Sequence, residues 1–117
     1  MTDWIYNIIG IATIIYDNDC LRDNNGQVIA WVNGINVYSL NGDHIGWFEK
    51  GILYDSSNDI LGFIKNRTGN LPSIPGIGGT PGTPGFAGRP GKSGFSGAPG
   101  RPGYGGWSSS DLNKYFE

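Results

Sequence analysis

The chain reads as an all-β protein: four 16-residue β-hairpin repeats arranged around a pseudo-four-fold axis, followed by a polyproline-II or collagen-like tail. Three observations predict this. A sixteen-residue self-similarity tiles residues 4–67, the turns inside it are built from Asn, Asp and Gly, and glycine then occupies every third position from Gly76 to Gly106. A fixed internal period sets the architecture before any local propensity does.

Sliding the head against itself by sixteen residues aligns Gly10, Gly26, Gly42 and Asn58. Upstream it aligns Ile5, Leu21, Val37 and Leu53, then Asn7, Asp23, Ser39 and Asp55. Each unit is a short β-prone piece, a turn and a longer strand, as in Val37-Tyr38-Ser39, Leu40-Asn41-Gly42-Asp43 and His44 to Glu49. Asn-Gly at 25–26 and 41–42 is the favoured pair where turn residues need positive φ. Asn58 takes that place in the fourth unit because Asn tolerates the left-handed region best after Gly. Asn7, Asp23, Ser39 and Asp55 fit side chains that bond their own turn backbone.

Strand alternation predicts two faces, with Ile29 and Trp31 on one and Val28, Ala30 and Val32 on the other. Carried through the repeat, one face bears the ring Ile15, Trp31, Trp47 and Phe63, and the other bears Ile14, Ala30, Gly46 and Gly62. Small residues at three of those four sites indicate close backbone approach. A lone hairpin is barely stable, so the four units must close on one another. The domain boundaries expected are a head over 1–67, a hinge over 68–75, a Gly-X-Y stem over 76–106 and a C-terminal peptide over 107–117.

Eleven glycines in unbroken phase give the stem its character, since in a triple helix only glycine fits at the axis. Five prolines (Pro81, Pro84, Pro90, Pro99 and Pro102) all fall in the Y slot. Phe86, Phe95 and Tyr104 take X positions nine residues apart, with Arg89, Lys92 and Arg101 in X positions between them. The stem carries net +3, the first 75 residues net −4 and the last eleven −1. A homotrimer through residues 76–106 is one expectation, and a single extended polyproline-II rod and a disordered segment are the others. Three diluted cations make no nucleic-acid footprint.

The apolar run Trp4 to Tyr16 is too short to span a bilayer and lacks the cationic start of a signal peptide. A cytoplasmic location is expected, with export by another route left open. Cys20 is the only cysteine and His44 the only histidine, so no disulfide framework, metal cluster or catalytic dyad is expected. No cofactor is expected either. The binding candidates are Trp31, Trp47 and Phe63, a ring suited to stacking on a sugar, base or proline peptide, or to forming core. The docking candidates are Trp107, Leu112, Tyr115 and Phe116, too apolar for a solvated tail, behind a capping box of Ser108 and Asp111.

The stretch Asn41-Gly42-Asp43-His44-Ile45-Gly46-Trp47-Phe48 resembles the bacterial 4-fold β-flower family, supported by Val28-Ile29-Ala30-Trp31 and Ile60-Leu61-Gly62-Phe63. The ending Gly-Trp-Ser-Ser-Ser-Asp-Leu extends the resemblance over essentially the whole chain. It implies a compact four-petalled β head and no activity. Asn58 in place of a repeat glycine, and a strict Gly-X-Y tail, depart from that pattern. The expected function is a non-enzymatic structural or interaction protein, a β head displayed on its stem with an unknown protein partner. The alternative is a monomeric module binding a small molecule or peptide through its aromatic ring.

Overall fold

The computed structural model of the protein describes residues 2–73, 75–92, 94–103 and 105–116. Tyr104 of the aromatic series lies outside the described residues, as do Ile74, Ser93 and Glu117. Among the described residues eight strands run β1 (Thr2–Tyr6), β2 (Ala12–Asp17), β3 (Cys20–Arg22), β4 (Val28–Asn33), β5 (Asn36–Ser39), β6 (His44–Glu49), β7 (Ile52–Tyr54) and β8 (Ile60–Phe63). Each pairs antiparallel with the next, and β8 returns to β1 to close a barrel. A one-turn helix, α1 (Leu112–Tyr115), follows near the C-terminus.

The turn chemistry does what its composition dictates. Gly10, Gly26, Gly42 and Asn58 have φ of +82°, +87°, +91° and +65°. In three units a carboxylate or amide oxygen at the turn start accepts two backbone N–H bonds: Asn7 from Ile9 and Ile11, Asp23 from Asn25 and Gln27, Asp55 from Ser57 and Asp59. Ser39, with one oxygen and a shorter reach, accepts from Asp43 alone.

Strict alternation fails at one recurring place. Register shifts occur at Ile5/Tyr6, Leu21/Arg22, Val37/Tyr38 and Leu53/Tyr54, sixteen residues apart. In β4, Ala30 faces Leu21 and Val28 faces Arg22, so Ile29 is the extra residue of a bulge. The bulge reverses the expected grouping: Ile29 packs with Ala30 and Val32, while Val28 joins Trp31 and Tyr38. Bulges bend and twist the ribbon, which is what a closing sheet needs.

One apolar cluster draws on every strand and therefore fills the barrel: Ile5, Ile14, Leu21, Ala30, Val32, Val37, Phe48, Leu53 and Leu61. Its last member is Leu112 of α1, 2 % exposed, which plugs the barrel end from far along the chain. Asp111 stands at the helix N-cap with no side-chain capping bond, so the expected capping box does not form. Ser108 Oγ instead donates to Asp55 Oδ2 at 2.5 Å and accepts from Ser110 N–H.

The seam between β8 and β1 is the thinnest in the barrel, with Tyr6 opposite Phe63 alone, whereas β4 and β5 share four pairs. The C-terminal peptide reinforces it. Trp107 forms a parallel bridge with Ile60, through Ile60 N–H to Gly106 O at 2.7 Å and Ser108 N–H to Ile60 O at 2.8 Å. Its indole packs with Tyr6, Ile52 and Phe63.

Candidate interaction surface

On a barrel with a filled interior, the outward residues of each strand are left to find their own cover. Here they are large: Tyr6, Trp31, Tyr38 and Trp47 are 1 %, 1 %, 4 % and 3 % exposed, and Phe63 is fully buried. Much of the cover comes from the described residues of 76–106, which lie along the head rather than extending from it. The whole molecule measures 37 × 36 × 23 Å, against about 95 Å for a straight polyproline-II stem of this length.

The attachment repeats. Gly78 N–H donates to Gly10 O at 2.9 Å, Ala87 N–H to Gly26 O at 3.1 Å and Ser96 N–H to Gly42 O at 2.9 Å. In the fourth unit Asn58 supplies its side chain, donating from Nδ2 to Pro102 O at 2.8 Å. Nine residues of belt therefore advance one sixteen-residue unit of head. The lengths agree: nine polyproline-II residues span about 28 Å, a quarter of the circumference of a disc 36–37 Å across.

Several X side chains contact the head. The Phe86 ring lies under the Arg22 guanidinium at 4.4 Å, and Phe95 stacks on Tyr38 at 4.2 Å and 7°. Six residues after each phenylalanine stands a cation over the ring candidates. Lys92 Nζ is 5.0 Å from the Trp31 centroid, and the Arg101 guanidinium is 5.4 Å from that of Trp47 and 4.6 Å from that of Tyr54. Phe63 is covered by Arg67 at 4.9 Å and by the edge of Trp107. Such contacts contribute about 0.5–2 kcal/mol each, more where water is excluded.

Ion pairs follow the charge asymmetry. Arg101 Nη1 meets Glu49 Oε1 at 2.7 Å, Lys92 Nζ meets Asp19 Oδ2 at 3.0 Å, and Arg89 pairs with both Asp19 and Asp17. Arg22, 3 % exposed, is the one deeply buried cation among the described residues. Its Nε donates to Asp17 Oδ2 at 2.9 Å, and its Nη1 donates to Gly26 O and to the belt's Ala87 O, both at 2.7 Å. Arg22 thus ties head, turn and belt at one point. Burial works against ionisation of Asp19, but the bonds and charges of Lys92 and Arg89 outweigh it and hold its carboxyl below the usual value.

The docking candidates all lie on the chain's own head. Leu112 fills the barrel end, and Trp107 braces the seam. Tyr115 Oη accepts from Ser56 N–H at 2.9 Å and donates to Ile45 O, bridging two units, with Phe116 at its edge. His44, partly buried, has its Nε2 3.0 Å from Asn36 Oδ1, and desolvation lowers its pKa. Cys20 is fully buried, and burial raises its thiol pKa. Sequence reasoning missed Arg22, Asp17, Asp19 and Glu49. The detectable signal was that Phe86 and Phe95 recur at nine while their receptors Arg22 and Tyr38 recur at sixteen.

A closed all-β barrel built of consecutive antiparallel hairpins, with its outer face covered by the chain's own tail, defines the class of protein. Residues 3–116 match the 4-fold beta flower protein family, and the chain belongs to it. No curated protein and no solved structure matches it. Among the described residues, no helix is long and apolar enough to cross a membrane.

Proposed function

We propose that this is a non-enzymatic structural or interaction protein whose four 16-residue hairpins, set around a pseudo-four-fold axis, are girdled and held closed by the Gly-X-Y segment. The observation that carries the reading is the nine-to-sixteen register: the same backbone bond recurs at Gly10, Gly26 and Gly42, and the same cation–aromatic contact at Trp31 and Trp47. Trp31 and Trp47 then serve as receptors for the belt in cis, the role of a proline-peptide platform filled by the chain itself, while Phe63 receives Arg67 and the C-terminal Trp107. What remains outward are the hairpin tips, the belt's outer edge and the ends of the disc, surfaces suited to contact with another protein.

Deleting one triplet, Gly88–Pro90, tests this. The belt would fall three residues short per circuit, so Lys92, Phe95 and Arg101 would miss their receptors and Trp107 and Leu112 would be pulled from theirs. The expected outcome is a thermal midpoint lowered by 10 °C or more, since several kcal/mol are lost from a domain of this size (about 4–8 °C per kcal/mol). A midpoint unchanged within a degree or two would contradict the register.

A second reading, a homotrimer through residues 76–106, is favoured by one observation. A Cβ added at Gly79, Gly82, Gly85, Gly88, Gly91, Gly94, Gly97, Gly100 or Gly103 would meet nothing within 4 Å, so the belted monomer gives no steric reason for the glycine phase. A triple helix supplies that reason, but only after every contact described above is released. Native mass separates the two readings, a single 12.6 kDa chain against three.

A further inference from the structure

We propose that the outer face of the barrel is a recognition surface for Gly-X-Y polyproline-II strands, and that the 76–106 segment of a second copy can occupy it in place of the chain's own. The inference rests on the belt reading and extends it from cis to trans.

Three features of the head read such a strand, and each repeats. The carbonyl of the left-handed turn residue, at Gly26 and Gly42, accepts the N–H of the Y residue that follows a phenylalanine. The side chain of Arg22 or Tyr38 receives that phenylalanine ring. Trp31 or Trp47 lies beneath the cation six residues further on. Together they specify an aromatic X residue, a free Y N–H and a cationic X residue at nine-residue spacing. Peptide-binding grooves that read polyproline-II strands use the same combination of aromatic walls and backbone bonds, because the strand is extended beforehand and loses little entropy on docking.

None of these contacts involves the chain between Thr68 and Ser73, so the surface senses a strand and not its connection. A second copy carries an identical strand, and its net +3 meets a head of net −4. A Cβ added at the phase glycines from Gly79 to Gly103 would meet nothing within 4 Å, so those α-carbons point away from the head and docking does not depend on them. A tethered belt wins over an external strand through its effective concentration, about millimolar for a short linker. Weakening the belt therefore exposes the site.

The test uses the full chain carrying Phe95→Ala and Arg101→Ala, and a fluorescein-labelled synthetic peptide of residues 76–106 as the probe. The peptide is expected to bind this variant at least about tenfold more tightly than it binds the parent chain, whose own belt competes. A Gly-Pro-Pro peptide of equal length is expected to bind neither. Equal, weak binding of both peptides to the variant overturns the proposal. Should circular dichroism show the variant unfolded, the parent chain is cut at a protease site placed within 70–73. Its 74–117 fragment should then stay with the head and exchange with a labelled copy. A fragment that separates on cutting, or stays without exchanging, overturns the proposal. If the triplet deletion still lowers stability beside a negative result here, the cis belt stands and only exchange falls.

Discussion

Leu112 carries more of the fold than its place near the chain end suggests. It is 2 % exposed inside a cluster fed by all eight strands, and its Cδ2 would lie 3.0 Å from a Cβ placed on Gly62. Leu112→Ala should destabilise the protein by about 2–5 kcal/mol, the range for a leucine removed from a packed core. Urea denaturation measures it, and a loss below about 0.5 kcal/mol would show that the barrel end closes without the helix. Asp19 gives a second test at this scale. Its folded carboxyl titrates below the usual value, so its contribution is complete above the unfolded value and is lost as pH falls through the folded one. Belt attachment should therefore weaken from about pH 4 downward, and Asp19→Asn should flatten the fall in thermal midpoint over that range. The pair is exposed, so the change is small, about 1 kcal/mol at most.

At the scale of elements, the sequence disclosed what local chemistry controls. Turn residues announced the four turns that hold Gly10, Gly26, Gly42 and Asn58, because positive φ and Asx bonding leave few residue choices. Bulges stayed hidden, because Ile29 is as apolar as any regular strand member and nothing in its type marks it as extra. The belt was concealed for another reason: Gly-X-Y phase is shared by any set of strands that pack through glycine, and composition does not say what the X residues touch. Gly91→Ala decides which packing applies. In the belt its Cβ meets nothing within 4 Å, so stability should change by less than about 0.5 kcal/mol, as at an unremarkable surface site. A triple helix would be disrupted by the same substitution, and loss of an oligomer in sedimentation would reveal it.

At the scale of the molecule, head and tail pack as one body although composition divides them. A small β head is short of core, and its hairpins present aromatic outer faces that water would not stabilise. The tail supplies that cover, seals the β8–β1 seam and plugs the barrel end. The expected boundaries at residues 67 and 106 mark changes of composition, while packing runs across both. Small-angle X-ray scattering of the full-length protein in dilute solution tests this most directly. The expected result is a monomer with a radius of gyration close to 13.3 Å and a longest dimension not far above 37 Å. A longest dimension approaching about 100 Å, the reach of a projecting stem, would contradict it.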